Sequence, residues 1–399
     1  MNKKTANKYA GLKKIVNKVR LKRLEIRSLN EISDSFVVER SDQENISVSP
    51  KYMDFIPQVS KYPVVDIKVF KLQNVFCNIN SSSYITKNKD IVYIEEFPYI
   101  DRNKANYASG FISSHDHNFA YIKRFSSKKI QEYENVFFLG GNGSFNFYHW
   151  MIEIVPKLLL INNDFIDKYN IAAIVVNECV KKNDNYFWLL EKCLSHLKNI
   201  NIIYINQLDT FFVKNLFFMN SFNQTVFNFK GTNYKNSLST IYNNKYLYSL
   251  EKKLSSNSIN YGLKVYKNIF ILRDENTVSK FNKRTYNQSE VFELFQEKGF
   301  IGLYLADLTL MEQAHIFRNA DFIVGPSGAA WANLIFSKSH AKAISWLPEA
   351  LEFFDAYSTL AYLKEVEMRF IKYKTIDNKV HSQYSIDIEE LNKLYLSMI

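Results

Sequence analysis

The sequence predicts an α/β protein built from two Rossmann-like units. Three observations predict this fold. Short apolar runs alternate with helical patterns in both halves of the chain, and in each half an apolar run leads into a glycine-rich turn. The length of 399 residues also exceeds that of an ordinary single domain. Because 47% of the residues are hydrophobic, the chain can fill two cores, which excludes an intrinsically disordered protein.

The first predicted element is a basic leader over residues 1–30. Ten lysine and arginine residues and a single acid lie between Met1 and Arg27, so this stretch carries +9 of the net charge of +11. Its apolar residues recur at roughly helical spacing from Leu12 to Ile26, which predicts a cationic amphipathic helix over residues 3–27. Such a helix suits binding of residues 1–27 to an anionic membrane surface. A solvated leader, or a helix packed on its own domain, is the alternative.

Residues 31–230 are predicted to form the first Rossmann-like domain. Up to Lys129 the sequence has short alternating runs typical of strands. An apolar run at Val136–Leu139, a glycine turn at Gly140–Gly143 and a helical pattern at Phe145–Leu160 then follow, the order that opens an α/β unit. The remaining elements predicted here are the strand Ile171–Val176, the helix Tyr186–Leu197 and the strand Ile202–Ile205.

Residues 231–262 are predicted to connect the domains through a helix at Ser237–Leu254, and residues 263–375 to form the second Rossmann-like domain. Its predicted elements are the strand Asn268–Leu272, the helix Ser289–Lys298, the strand Ile301–Leu305, the helix Leu310–Arg318, the strand Asp321–Val324, the helix Ala329–Phe336 and the strand Ala341–Trp346. Residues 376–399 are predicted to end in a closing helix. Asp387 and Glu389 lie at its start, where carboxylates cap a helix and favour its dipole.

The turn from Gly325 to Gly328 is a candidate anion site. It joins an apolar strand to a segment of small residues, so backbone N–H groups can approach a phosphate or diphosphate closely. Arg273 follows another predicted strand at the edge where parallel sheets bind ligands, and Lys283 and Arg284 add two cations. The structural alternatives are a glycine turn needed only for packing and ordinary surface charges.

His149 and Glu153 are candidate catalytic residues because they lie four residues apart on one face of a predicted helix. His149 suits a general base or a hydroxyl-binding residue, and Glu153 could orient it or be the base itself. A buried, hydrogen-bonded histidine is the alternative. His115-Asp116-His117 resembles a metal pair without a third ligand nearby, so we predict no metal. The three cysteines include no CxxC pair, so no structural zinc site or disulfide framework is predicted either.

At these motifs the sequence resembles glycosyltransferase family 61 (the DUF563 family), and within it the bacterial capsular polysaccharide type. The resemblance covers about residues 136–348. The motifs that carry it are Tyr148-His149-Trp150-x-x-Glu153 with Pro156, Arg273, Arg284-Thr285-Tyr286-Asn287, Glu312-Gln313, and Gly325-Pro326-x-Gly328-Ala329 with Asn333. The resemblance implies a GT-B-like fold, in which two Rossmann-like domains face each other across a cleft.

The same resemblance implies an inverting, metal-independent transferase that needs no cofactor. It would move a sugar from a sugar nucleotide, held by the C-terminal domain, to a saccharide or lipid-linked acceptor in capsule or lipopolysaccharide synthesis. The implied roles are donor phosphate binding for Arg273, Lys283, Arg284, Ser327, Gly328, Ala329 and Asn333, nucleoside binding for Glu312 and Gln313, and catalysis for His149 and Glu153. Many relatives have histidine where this chain has Ser327, so the identity of the donor does not carry over.

Two other classes of function stay open. One is a different GT-B-like enzyme of surface-polysaccharide assembly, such as a pyruvyl or phosphosugar transferase. The other is a basic nucleic-acid-binding protein, which is disfavoured because the charge is concentrated in the leader and not spread over a folded face. The sequence shows neither a signal-peptide pattern nor an uncharged apolar run of about 18 residues, so we expect a cytoplasmic protein, at most peripheral on the membrane. The oligomeric state cannot be predicted.

Overall fold

A computed structural model describes residues 21–40, 44–53, 56–96, 102, 110–123, 125, 130–225, 240–255, 263–274, 284–377 and 381–399. These residues form an eleven-stranded mixed sheet, a five-stranded parallel sheet and two small two-stranded sheets, with helices packed between them. The predicted mixed α/β class is therefore confirmed.

The strands are, in chain order, β1 (Leu21–Ser28), β2 (Ser35–Glu39), β3 (Glu44–Val48), β4 (Val59–Pro63), β5 (Ile67–Asn78), β6 (Tyr84–Thr86), β7 (Ile91–Ile94), β8 (Ile112–His115), β9 (Phe119–Lys123), β10 (Glu132–Leu139), β11 (Ala173–Asn177), β12 (Asn201–Ile205), β13 (Thr210–Met219), β14 (Asn223–Thr225), β15 (Thr240–Tyr242), β16 (Asn268–Ile271), β17 (Ile301–Leu303), β18 (Phe322–Val324), β19 (Lys342–Pro348) and β20 (Glu367–Tyr373).

The α-helices are α1 (Phe147–His149), α2 (Asn163–Lys168), α3 (Asp184–Leu194), α4 (Asn244–Ser255), α5 (Gln288–Gln296), α6 (Leu310–Asn319), α7 (Ala356–Leu363) and α8 (Ile388–Leu396). A π-helical turn, Trp150–Ile154, continues α1. The 3₁₀ helices are Leu29–Glu31, Val155–Leu160, Glu178–Val180, Leu305–Asp307, Ala329–Phe336 and Glu349–Leu351.

The larger sheet contains a Rossmann-like part. Its strand order is β12-β11-β10-β13-β5-β6-β7-β1-β9-β8, with β2 paired to β5. Strands β10, β11, β12 and β13 are parallel neighbours, and their spatial order, numbered along the chain, is 3-2-1-4. This is the order of the first Rossmann half, in which ligands bind where the strand order reverses. The segment that follows β10, which leads to His149, therefore starts at the expected ligand-binding edge.

The smaller sheet is parallel throughout, in the order β17-β16-β18-β19-β20. Numbered along the chain this is 2-1-3-4-5, a doubly wound order whose switch point lies between β16 and β18. Arg273 follows β16 and Gly325 follows β18. The topology therefore brings these two predicted site residues to one sheet edge, although about 50 residues of sequence separate them.

One apolar core joins the two sheets. Buried side chains of the larger sheet, such as Phe137 and Ile174, belong to the same cluster as Ile269 and Ile323 of the smaller sheet. Helical residues such as Trp150 fill the space between them. Further clusters cover the remaining faces of the two sheets. The edges that carry the predicted site residues are thus parts of one packed unit.

The helix predicted over residues 3–27 is wrong in part. Leu24 and Ile26, which the helical prediction for residues 3–27 included, lie on β1, where they alternate with exposed residues and are buried. Their spacing of two residues is a strand period, and pairing with β7 and β9 selects it. Residues 1–20 lie outside the described part of the chain.

The helix predicted over Ser237–Leu254 begins later than expected. Thr240–Tyr242 is a strand that pairs with β14, and the helix starts at Asn244. β-Branched and aromatic residues favour this extended conformation. Ala329–Phe336 is a 3₁₀ helix where the sequence predicts an α-helix. No helix in the described ranges is both long and apolar enough to cross a bilayer.

Candidate active site

A cleft of about 500 Å³ lies where the two sheet edges meet. One wall consists of residues that follow β10, among them His149, together with the start of α3. The opposite wall consists of Arg273, Arg284 and the turn after β18. Among the described residues, the lining contains two arginines and one histidine but no aspartate or glutamate. The charge that faces this cleft is therefore positive.

His149 and Glu153 form a buried pair. His149 Nδ1 lies 2.9 Å from Glu153 Oε2, and the side chains are 10% and 8% exposed. The other carboxylate oxygen, Oε1, accepts the backbone N–H of Thr225 at 2.8 Å. A carboxylate at Nδ1 favours the imidazole tautomer that leaves the Nε2 lone pair unprotonated. Because His149 lines the cleft, Nε2 is the atom of this pair that can take a proton from a bound molecule.

The glycine turn before the helix makes room for the imidazole. Gly143 has φ of +78°, and a Cβ atom there would lie 2.5 Å from Cδ2 of His149. Both the left-handed backbone conformation and the close approach require glycine. The side chain of Asn146 begins the helix by accepting the backbone N–H of Tyr148 at 2.9 Å.

The helix widens after His149. Pro156 has no N–H to donate to the carbonyl of Ile152, and Asn223 Nδ2 donates to that oxygen instead, at 3.0 Å. The π-turn that contains Glu153 directly precedes this proline segment. Such turns are rare and frequently occur at functional sites. Strand β14, which holds both Asn223 and Thr225, therefore supports the helix at the point where the carboxylate is placed.

Arg273 extends from the end of β16 with a fixed orientation. Its Nη1 donates to the carbonyl of Arg284 at 3.0 Å and its Nη2 to the carbonyl of Ser327 at 2.7 Å. Its backbone N–H and carbonyl bond the side-chain amide of Gln288 at 2.7 and 2.9 Å. Neutral carbonyl oxygens orient a guanidinium without cancelling its charge. The cleft wall thus keeps a positioned cation that can bind an anion.

Arg284 places a second guanidinium in the same wall. Burial lowers the pKa of Arg284, and neighbouring Arg273 lowers it further, but an arginine retains its proton at neutral pH. Arg284 Nε donates to Nδ1 of His381 at 2.8 Å. Burial, followed by the two arginines, lowers the pKa of His381 to about 4, so this histidine is neutral at pH 7. Two positive charges close together suit a ligand with at least two negative charges.

The turn after β18 lies against Arg273. A Cβ atom on Gly325 would lie 2.6 Å from Cβ of Ile271, so glycine is needed for this packing. Gly328 and Ala329 line the cleft, as a backbone anion site requires. Ser327 is buried, and it is its carbonyl that contacts Arg273. Ser327 itself is not among the residues that line the cleft.

Asn333 and Gln313 support the cleft from behind. Asn333 is fully buried, and its Nδ2 donates to Gln313 Oε1 at 2.8 Å. Gln313 lines the cleft, but its Nε2 donates to the carbonyls of Leu305 and Leu308 at 2.8 and 3.0 Å. Their amide groups thus fix the 305–308 turn. Asn333 itself does not line the cleft.

Glu312 is engaged in a helix cap. Its Oε2 accepts the backbone N–H and the hydroxyl of Thr309, both at 2.8 Å, in the capping box that begins α6. It does not line the cleft. Lys283 lies outside the described residues. In the described ranges, no three His, Cys, Asp or Glu side chains are grouped as metal ligands. His115 Nδ1 instead lies 3.0 Å from the carbonyl of Asp116.

The cleft lining also contains residues that the sequence did not single out as site residues, among them Asn146, Asn183, Tyr186 and Tyr357. Both asparagines are helix N-caps, and an asparagine directly before a helical segment is a sequence pattern that could have identified them. Tyr357 comes from α7, far along the chain, and no local pattern points to it. Burial raises the pKa of Tyr357 to about 12, so its hydroxyl stays protonated at neutral pH.

Residues 147–344 match the model of the family described as Glycosyltransferase 61. The matched range includes His149, Glu153, Arg273 and the turn at Gly328, while Asn146 and Tyr357 of the cleft lining lie outside it. No curated protein matches the chain significantly. The resemblance seen in the motifs is confirmed at the level of the family. The chain is therefore a glycosyltransferase, and residues 147–344 are the part of it that matches the family 61 model.

Proposed function

We propose that the protein is an inverting, metal-independent glycosyltransferase that moves a sugar from a sugar nucleotide to a hydroxyl of a saccharide or lipid-linked acceptor. The single observation that carries this proposal is the shared cleft, with the His149–Glu153 pair on one wall and two arginines on the other. A proton acceptor and an anion site on opposite sides of one cavity suit displacement of a phosphate by a hydroxyl group.

The donor phosphates are proposed to bind Arg273, Arg284 and the backbone of Gly328 and Ala329. As the bond between the anomeric carbon and the phosphate oxygen breaks, negative charge builds up on the departing nucleotide. Two fixed guanidinium groups stabilise that charge and need no reorientation during the reaction. This is the role that a divalent cation has in metal-dependent enzymes, which supports a metal-independent reaction.

The acceptor hydroxyl is proposed to lie beside His149. Its oxygen attacks the anomeric carbon, and its proton moves to Nε2 of His149, while the Glu153 carboxylate stabilises the imidazolium that forms. A retaining reaction through a glycosyl-enzyme would need a nucleophilic carboxylate beside the anomeric carbon. The described lining offers none, which supports a single displacement with inversion.

We also propose a GT-B-like division of labour. The larger sheet would supply the acceptor side and the smaller, doubly wound sheet the donor side, with the cleft between their switch points. An acceptor in capsule or lipopolysaccharide synthesis would suit the basic leader, because residues 1–20 contain seven lysines and arginines and no acid. Such a segment favours an anionic membrane surface, where lipid-linked acceptors are found.

A donor and acceptor screen tests this function. Purified protein is incubated with uridine, guanosine and cytidine sugar nucleotides and a set of saccharide acceptors, with EDTA present. We expect release of one nucleotide and a product whose anomeric configuration, measured by NMR, is opposite to that of the donor. A product of retained configuration, or activity that disappears in EDTA and returns with Mg²⁺ or Mn²⁺, would contradict the proposed mechanism.

A further inference from the structure

The helical segment that carries the catalytic pair also carries Lys157, four residues after Glu153. Lys157 is only 7% exposed, and its Nζ donates to the carbonyl of Met219 at 3.3 Å. A lysine is almost never buried without a partner of opposite charge. Its burial behind the cleft therefore calls for an explanation beyond packing.

Glu95 is a second buried acid near Lys157. Its carboxylate accepts the backbone N–H of Ser221 at 2.6 Å and the Ser221 hydroxyl at 2.8 Å. Glu95 and Lys157 line the same small cavity, of about 10 Å³. Burial raises the pKa of Glu95, and Lys157 opposes this rise. Burial lowers the pKa of Lys157, and both Glu95 and Glu153 oppose this fall. Each charge thus depends on the others.

His149 contacts Glu153, Lys157 follows Glu153 by four residues, and Glu95 lines the same small cavity as Lys157. We call this buried set of alternating charge, made of His149, Glu153, Lys157 and Glu95, the charge row. With His149 neutral and the other three ionised, the row has a net charge of −1. A proton on Nε2 of His149 brings the row to zero. A buried set of charges is more stable when its net charge is zero, so the row favours the proton uptake that general-base catalysis requires.

We propose that Lys157 and Glu95 are positioning residues that set the net charge behind the catalytic pair. This inference rests on the proposed function of His149 as the base. Other ionisable groups lie around the row. Burial raises the pKa of each of the nearby tyrosines, and Arg273 and Arg284 lie in the cleft. These tyrosines are Tyr84, Tyr148, Tyr186, Tyr242 and Tyr357, and Asp355 lies near Tyr242. These tyrosines and arginines keep one charge state around neutral pH, so they do not produce the titration described next.

Two single variants change the net charge in opposite directions. Lys157→Met removes the positive charge and leaves −2, because the two hydrogen bonds from Ser221 still favour the ionised form of Glu95. Glu95→Gln removes a negative charge and leaves zero. We expect the acidic limb of the kcat–pH profile to move up by about one pH unit in the first variant and down by about one in the second. In the double variant the net charge of the row is again −1, so the acidic limb of its kcat–pH profile should lie close to that of the natural protein. A purely structural role lowers stability but produces no such opposite shifts.

A measurement without turnover separates this inference from the proposed function. In protein with isotope-labelled histidine, the NMR titration midpoint of His149, assigned by its loss in His149→Gln, should shift in the same directions in the two variants. Midpoints that do not move, or that move together, overturn the inference. Midpoints that shift while the kcat profile stays fixed show that His149 is not the base, which overturns both. If Lys157→Met does not fold, the sign of the shift in Glu95→Gln, which keeps the size of the side chain, decides.

Discussion

The nitrogen atoms of His149 have different surroundings. Nδ1 lies beside the Glu153 carboxylate and the ring lines the cleft, so removal of the imidazole removes the proposed proton acceptor and leaves the arginine wall intact. We predict that His149→Ala lowers kcat by about 100-fold or more and leaves binding of the nucleoside diphosphate nearly unchanged. Steady-state kinetics and calorimetric titration measure the two quantities. His117→Ala, at an exposed histidine outside the cleft, is the control, and turnover near the natural level in His149→Ala would exclude this histidine as the base.

Arg273 makes a complementary contribution through its charge. Its two carbonyl contacts hold the guanidinium in place, so Arg273→Ala loses a preorganised cation. We predict a loss of at least about tenfold in donor affinity or kcat/KM, or about 1.4 kcal/mol. Arg273→Lys keeps the charge but loses the two-pronged geometry of the guanidinium, so its donor affinity or kcat/KM should lie between those of the natural protein and Arg273→Ala. Arg40→Ala, at an exposed arginine, is the control. Donor kinetics unchanged in Arg273→Ala would place the phosphate site elsewhere.

At single residues, the sequence predicts contacts well where two side chains are close together in the chain. The spacing of His149 and Glu153 places both on one face of any helical segment, and the structure pairs them. Asn333 and Glu312 also lie in motifs that resemble the family, but their side chains bond to Gln313 and Thr309 inside the protein and do not line the cleft. A polar side chain either faces a cleft or makes an internal hydrogen bond. Which of the two occurs depends on packing against residues far away in the sequence, and the local sequence pattern carries no information about that packing.

At the scale of elements, the turn between β10 and the catalytic helix is shaped by the imidazole that it surrounds. Gly143→Ala adds a methyl group where Cδ2 of His149 lies and also strains the backbone at φ of +78°. Gly299 is a matched control because its φ is +81° and no atom lies within 4 Å of an added Cβ. We predict that both substitutions lower stability by about 1 kcal/mol, and that only Gly143→Ala also lowers kcat, by tenfold or more. Thermal unfolding and kcat of the two variants check this, and equal activities would show that the turn does not position the base.

Strands and helices with strong local periodicity were predictable, and those defined by their neighbours were not. The strand β10, its glycine turn and the helical segment after it follow the predicted order. Leu24 and Ile26 have the two-residue spacing of a strand, but they follow apolar residues at helical spacing, and pairing with β7 and β9 is what selects the strand. The small residues of Ala329–Phe336 suggest an α-helix, yet the segment is a 3₁₀ helix; nothing in the structure explains this choice.

At the scale of the whole molecule, the correction to β1 changes which charges can contact a membrane. Lys22 donates to the carbonyl of Asn88 at 3.4 Å, Arg23 lies 3.4 Å above the ring of Phe119, and Arg27 pairs with Glu25 at 3.0 Å. These three cations belong to the folded sheet. The excess charge proposed to bind lipid is therefore that of residues 1–20, which contribute +7 of the net +11.

Two truncations separate membrane binding from folding. Deletion of residues 1–20 leaves β1 between β7 and β9, so we predict unchanged thermal stability and a loss of flotation with vesicles that contain phosphatidylglycerol. Binding of the full chain should weaken as salt rises, and vesicles of phosphatidylcholine alone should bind neither form. Deletion of residues 1–27 also removes buried Leu24 and Ile26 from the middle of the sheet, and should cost more than about 2 kcal/mol of unfolding free energy. Equal flotation of the full chain and the form without residues 1–20 would show that the basic segment does not hold this enzyme at a membrane.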